Sequence, residues 1–95
     1  MITIEDLFRI QSQFNSKIYG DTQSNLEKTE ITKTLALCLH SEVSELIQSL
    51  TYKDHHYKSS DVDKIKMLFE SVDVFRYVLA ILNLNGIEPK DFITA

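Results

Sequence analysis

Only two glycines and one proline punctuate this chain of 95 residues, and that scarcity decides the fold class. An all-β chain of this length needs a turn about every dozen residues, supplied largely by Gly, Pro, Asn and Asp. Here Gly20, Gly86 and Pro89 stand near the two ends, leaving a long uninterrupted middle. Through that middle, apolar residues recur three and four apart, the helical period. The expected fold is all-α: an antiparallel bundle of three main helices plus a short C-terminal helix, forming one domain over residues 1–95.

Composition narrows the function classes. Apolar residues make up 43% and charged residues 25%, which suits a globular chain and not a disordered one. A net charge of −4 gives no basic footprint, so a nucleic-acid partner is not expected. Cys38 is the single cysteine and cannot form an internal disulfide, so a reducing, cytoplasmic setting is expected. No apolar stretch approaches a membrane span, and MITIEDLFRI places acids ahead of any base with no signal-peptide core. No membrane partner is expected either.

Thr3 and Asp6 form a capping-box pattern. Ile4, Leu7, Phe8, Phe14 and Ile18 then predict a first helix ending near residue 17 or 18. YGDTQSNLE (19–27) reads as a loop. Ile31, Leu35, Cys38, Leu39, Val43, Leu46, Ile47 and Leu50 predict a second helix over 30–50. TYKDHHYKSS (51–60) has no period and reads as a second loop. Ser60 and Asp63 would start a third helix running to about residue 85, with Gly86 closing it. In that helix Phe69, Val72, Phe75, Leu79 and Leu82 are expected to fill the seam within the chain. Val74, Tyr77, Val78 and Ile81 would then face a second copy, so a dimer or higher oligomer is expected. Pro89 suits the first turn of a last helix. The stop at Ala95, soon after that helix begins, reads as a truncated end or one completed by another chain.

Four acids carry the chemistry. Glu42 and Glu45 stand three apart on the second helix, as do Glu70 and Asp73 on the third, so each pair shares a helix face. A single such pair is ordinarily a solvated face. Two pairs on consecutive antiparallel helices, each beside an apolar stripe, can bring four carboxylates together. Such a group repels itself unless a cation sits within it, and hard oxygen ligands suit Mg²⁺ or Mn²⁺.

These residues resemble a known pattern. Glu42, Val43, Ser44, Glu45 followed by Glu70, Ser71, Val72, Asp73 is similar to the ExxE…ExxD signature of the all-α nucleoside triphosphate pyrophosphatases, which include MazG-like enzymes, dimeric dUTPases and phage dCTPases. LFRIQSQFN (7–15), LALCLHSEVSEL (35–46), TYKDHHYK (51–58) and LFESVDVFRYVLAI (68–81) resemble successive segments of the dUTPase and dCTPase branch. The resemblance implies a helical oligomer, usually a dimer, that cleaves a nucleoside triphosphate to monophosphate and pyrophosphate. It implies that Glu42, Glu45, Glu70 and Asp73 hold Mg²⁺, that Gln11 and Asn15 contact the base, and that Lys53 and Lys58 approach the phosphates. This chain departs from the branch in having Ser41 where relatives often have Glu, and Arg76-Tyr77 where His-Phe is common. Tyr52 and Tyr57 stand in place of loop tryptophans, and the Lys-Asn phosphate-binding motif of relatives, which follows this point, is absent.

The expected activity is therefore a Mg²⁺-dependent, dUTPase-like pyrophosphohydrolase. Phosphoryl chemistry asks for metal ions, an oriented water and neutralised charge, with Glu42 or Glu45 as proton acceptor. Gln11 and Asn15, four apart beside Phe8 and Phe14, can read a pyrimidine edge, or form an exposed polar face. The alternatives are a MazG-like or dCTPase activity, or a helical oligomer that binds without turnover. His55 and His56 are adjacent and lack a partner at metal spacing, so zinc is not expected. His40 reads as a surface residue, and Cys38 as a core one.

Overall fold

Helix boundaries in this chain follow from side chains that satisfy free backbone groups. The computed structural model describes residues 1–56 and 64–95, with side chains described outside 49–63. Four helices result: α1 (Ile4–Tyr19), α2 (Asn25–His56), α3 (Lys64–Leu84) and α4 (Pro89–Thr94). Thr3 Oγ1 accepts from the Asp6 amide at 3.2 Å, and the Asp6 carboxylate accepts from the Thr3 amide at 2.9 Å. That is the expected capping box. Ser24 and Glu27 form a second one, at 3.1 and 2.9 Å, and it starts α2 inside the segment expected to be loop. The backbone amide bonds of Thr3 and Ser24 hold the Asp6 and Glu27 carboxyls below their ordinary range.

Glycines close two of the helices. Gly20 (φ 81°) ends α1, and its amide reaches the Ser16 carbonyl at 2.9 Å. Gln23 Nε2 then donates to the Tyr19 and Gly20 carbonyls, each at 2.8 Å. Gly86 (φ 74°) donates to Asn83 and Ile87 to Leu82, the paired bonds of a Schellman end after α3. Between these glycines the chain contains no Gly or Pro, so α2 continues through His56. The expected loop at 51–60 is thus helical over its first six residues. Lys is a good helix former, Thr, Tyr, Asp and His are modest ones but not breakers, and a lost apolar period is no stop signal. Ser60 and Asp63 lie outside the described residues.

Packing centres on α3, which meets α2 on one side and α1 on the other; α4 folds back onto α1. The helices α2 and α3 run antiparallel: Leu35 packs with Ala80 and Leu84, Ile31, Tyr77 and Ile81 flank them, and Asn85 Nδ2 donates to Thr32 Oγ1 at 3.0 Å. On the other side Phe8 is buried and meets Phe92 edge-on, ring centres 5.9 Å apart. Phe8 and Leu79, each 3% exposed, contribute about 1.5–3 kcal/mol apiece by burial. Among the described residues, the α1 and α2 backbones do not come within 8 Å of each other (Cα–Cα).

The faces that turn inward differ from those expected. On α1 the buried positions are Phe8, Gln11 and Asn15, while Phe14 and Ile18 are exposed. On α3, Tyr77 and Ile81, expected to face a second copy, pack against the core, with Val74 and Val78 half-buried. Phe69 (65% exposed), Val72 and Phe75, expected to fill the seam, lie outside with Ile65 (70%) and Leu68 (60%); Leu79 is buried as expected. The inner register of α3 instead follows Glu70, Asp73, Tyr77, Ala80 and Leu84, at helical steps of three and four. Period alone gives spacing, not which of two candidate faces turns inward. The radius of gyration, 16.1 Å, is well above the about 12 Å of a compact chain this long.

Candidate active site

Because α1 and α2 both pack on α3 without meeting, a cleft of about 410 Å³ opens between them. Its size is that of a small-molecule site. Asp73, Tyr77 and Ala80 of α3 form its floor, Gln11, Phe14 and Asn15 of α1 one wall, and Leu35, Cys38 and Glu42 of α2 the other.

One end is acidic. Glu42, Glu45 and Glu70 each present a carboxylate oxygen within 4.8 Å of the other two. Asp73 lines the cleft beside Glu42. Glu42 and Glu70 are half-buried and Glu45 is exposed, so the group sits at the mouth of the seam. Oε2 of Glu42 and Oε2 of Glu70 are buried with no hydrogen-bond partner among the described residues. Desolvation, then the charges of Glu45, Asp73 and Glu70, raise the Glu42 carboxyl above its ordinary range. Buried anionic oxygens lacking donors are costly unless a cation meets them, and an all-carboxylate donor set fits Mg²⁺ or Mn²⁺. The residues present therefore fit a divalent ion.

The other end is neutral. Gln11 Nε2 donates to Asn15 Oδ1 at 3.0 Å, and Asn15 Nδ2 donates to the Ala80 carbonyl at 3.1 Å. Both amides are 8% exposed, so the exposed-face reading of this pair is overturned. The chain of bonds fixes which way each amide points. It leaves Gln11 Oε1 without a donor among the described residues, able to accept.

A family model described as dUTPase matches residues 3–94. The chain belongs to the dUTPase family. No curated protein and no solved structure matches it. Membership makes it a dUTPase-like member of the all-α NTP pyrophosphatases and points to a nucleotide as substrate. No described helix is long and apolar enough to cross a membrane.

Of the residues expected to form a dUTPase-like site, the structure brings Glu42, Glu45, Glu70 and Asp73 to one end and Gln11 and Asn15 to the other. The whole of Tyr57 and Lys58 lies outside the described residues, as do the side chains of Tyr52, Lys53, His55 and His56. His40 is exposed, as expected. Three cleft residues were not read as such from the sequence. Cys38 is half-buried against the cleft and not in the core. Tyr77 stands between the ends; burial, then Cys38 and Glu42, push its hydroxyl further up, so it stays neutral. The Arg76 guanidinium lies 5.7 Å from the centre of the Phe14 ring at the cleft wall. The available signal was spacing: Cys38 stands four before Glu42, and Arg76 and Tyr77 stand three and four after Asp73.

Proposed function

We propose that this chain is a Mg²⁺-dependent nucleoside triphosphate pyrophosphohydrolase of the dUTPase type, which cleaves a deoxynucleotide to monophosphate and pyrophosphate. The observation that carries the reading is the pair of buried oxygens on Glu42 and Glu70, without partners among the described residues, at one end of a cleft whose far end holds an oriented amide pair. Family membership supports it. Glu42, Glu45, Glu70 and Asp73 would hold the ion. When bound, Mg²⁺ neutralises phosphate charge and eases deprotonation of the attacking water. Glu42 or Glu45 accepts the proton of that water. At the far end, the free Gln11 acceptor meets a base N–H, while the Asn15–Ala80 bond keeps that acceptor turned outward. Tyr77, held neutral, adds no negative charge beneath an anionic substrate.

The deciding experiment is Mg²⁺-dependent pyrophosphate release from a panel of nucleotides. Release from dUTP supports the dUTPase reading. Release from dCTP or modified bases moves it to a dCTPase or MazG-like activity, and no turnover with any nucleotide leaves a non-catalytic binding module.

The assembly we propose is a homodimer. Exposed Ile65, Leu68, Phe69 and Val72 on α3 form an apolar face larger than a lone helix surface normally leaves in water. A second copy of this chain, presenting the same face about a two-fold axis, covers it most simply. Light scattering should give twice 11.0 kDa for the unmodified chain, and Phe69→Asp should shift it towards the monomer. A monodisperse monomer of the unmodified chain at low micromolar concentration overturns the dimer.

A further inference from the structure

Among the described residues lining the cleft, Arg76 is the sole cation, and it has no ion pair with any described acid. Asp73 stands one turn before it on α3, at a spacing that ordinarily allows pairing. The guanidinium instead rests over Phe14, across the cleft wall. A cation stacked on an aromatic ring keeps its N–H edges free, and a guanidinium offers them as a planar fork suited to phosphate oxygens. Its place along the cleft narrows the ligand group. Helical rise puts Arg76 about 4.5 Å from Asp73 at the acidic end and about 6 Å from Ala80, where Asn15 is bonded. Resting on the nucleotide reading above, the base lies at the amide end and the metal-bound phosphates at the acidic end. The part of the substrate level with Arg76 is then the link between them.

We propose that Arg76 is a substrate-binding residue that holds the phosphate nearest the sugar, the one kept in the monophosphate product. It supplies to the cleft the positive charge that four carboxylates deny it. This predicts a selective defect. The full chain, Arg76→Gln and Arg76→Lys are titrated calorimetrically, in Mg²⁺, with dUMP, dCMP, the two nucleosides and pyrophosphate, beside pyrophosphate release from dUTP and dCTP. Arg76→Gln should weaken the monophosphates by roughly ten- to a hundredfold, as expected for a lost charged hydrogen-bond pair, and leave nucleosides and pyrophosphate unchanged. Arg76→Lys should fall between, keeping charge and losing the fork. Arg76 is exposed, so all three proteins should melt alike. Unchanged monophosphate affinity in an active enzyme overturns the role of Arg76 alone, and an equal loss on the nucleosides assigns the guanidinium to the base instead. An unmodified chain that neither turns over nor binds any of these overturns the pyrophosphohydrolase reading and this assignment with it.

Discussion

The two ends of the cleft are both polar, yet only one is complete. At the amide end each donor used has an acceptor: Gln11 gives to Asn15, and Asn15 gives to Ala80. At the acidic end Glu42 and Glu70 each keep a buried oxygen with no donor among the described residues, and desolvation, then neighbouring charges, push Glu42 towards its protonated form. A satisfied buried network stiffens the protein around it; an unsatisfied one waits for something from outside. The first reads as scaffold for recognition, the second as a seat for a cation.

That contrast is sharpest in activity. Glu45→Ala or Asp73→Ala should abolish pyrophosphate release, because each removes an anionic ligand from the group. Retention of full activity in either variant would reduce the cluster to a charged surface. Next in size is metal-linked stability. Mg²⁺ at about a hundred times its Kd contributes about 2.7 kcal/mol, so Tm should rise by roughly 10–20 °C in the unmodified chain and far less in Asp73→Ala. A scan with Mg²⁺ and with chelator checks this, and equal shifts in both proteins would break the assignment.

Asn15→Ala probes the other end. It leaves Gln11 without its acceptor and should cost about 1–3 kcal/mol by urea denaturation, while the Mg²⁺-induced rise in Tm stays intact. A diminished metal effect would mean that the ends are coupled. The smallest effect is on pH. Glu42 binds its proton more tightly folded than unfolded, so the metal-free chain loses stability as pH rises from the ordinary Glu range through the raised value. Asp6 and Glu27 act oppositely: their contribution is full above the ordinary carboxylate range and is lost as pH falls through their lowered values. Metal-free Tm should therefore rise on mild acidification and fall on stronger acidification. The rise should vanish in saturating Mg²⁺. A Tm that falls steadily from neutral pH downward without metal would contradict the crowding at Glu42.

Much of this was readable from the residues, and the remainder depends on contacts between distant segments. The Thr3–Asp6 cap, the helical class and the acidic pairs are local patterns, and all appear in the structure. The Ser24–Glu27 cap was equally local and was hidden by neighbouring loop-forming residues. The inward face was a different kind of problem. Hydrophobic spacing favoured Phe69, Val72 and Phe75 for the seam, but the folded chain turns Glu70, Asp73 and Tyr77 inward and leaves the apolar set outside. A rule that sends apolar groups inward fails where polar side chains line a cleft inside the subunit. In the same way, nothing local says that Asn15 is buried, since its partner is a carbonyl 65 residues away.

The separation of the α1 and α2 backbones has a mechanical consequence. Each wall of the cleft rests on the common floor, α1 with α4 behind it, so each can open without the other. A nucleotide gripped at both ends would join them, turning two independent openings into one cooperative event. Such an enzyme needs no separate flap to sense occupancy: the occupant itself is the brace, and its cleavage into two pieces removes it.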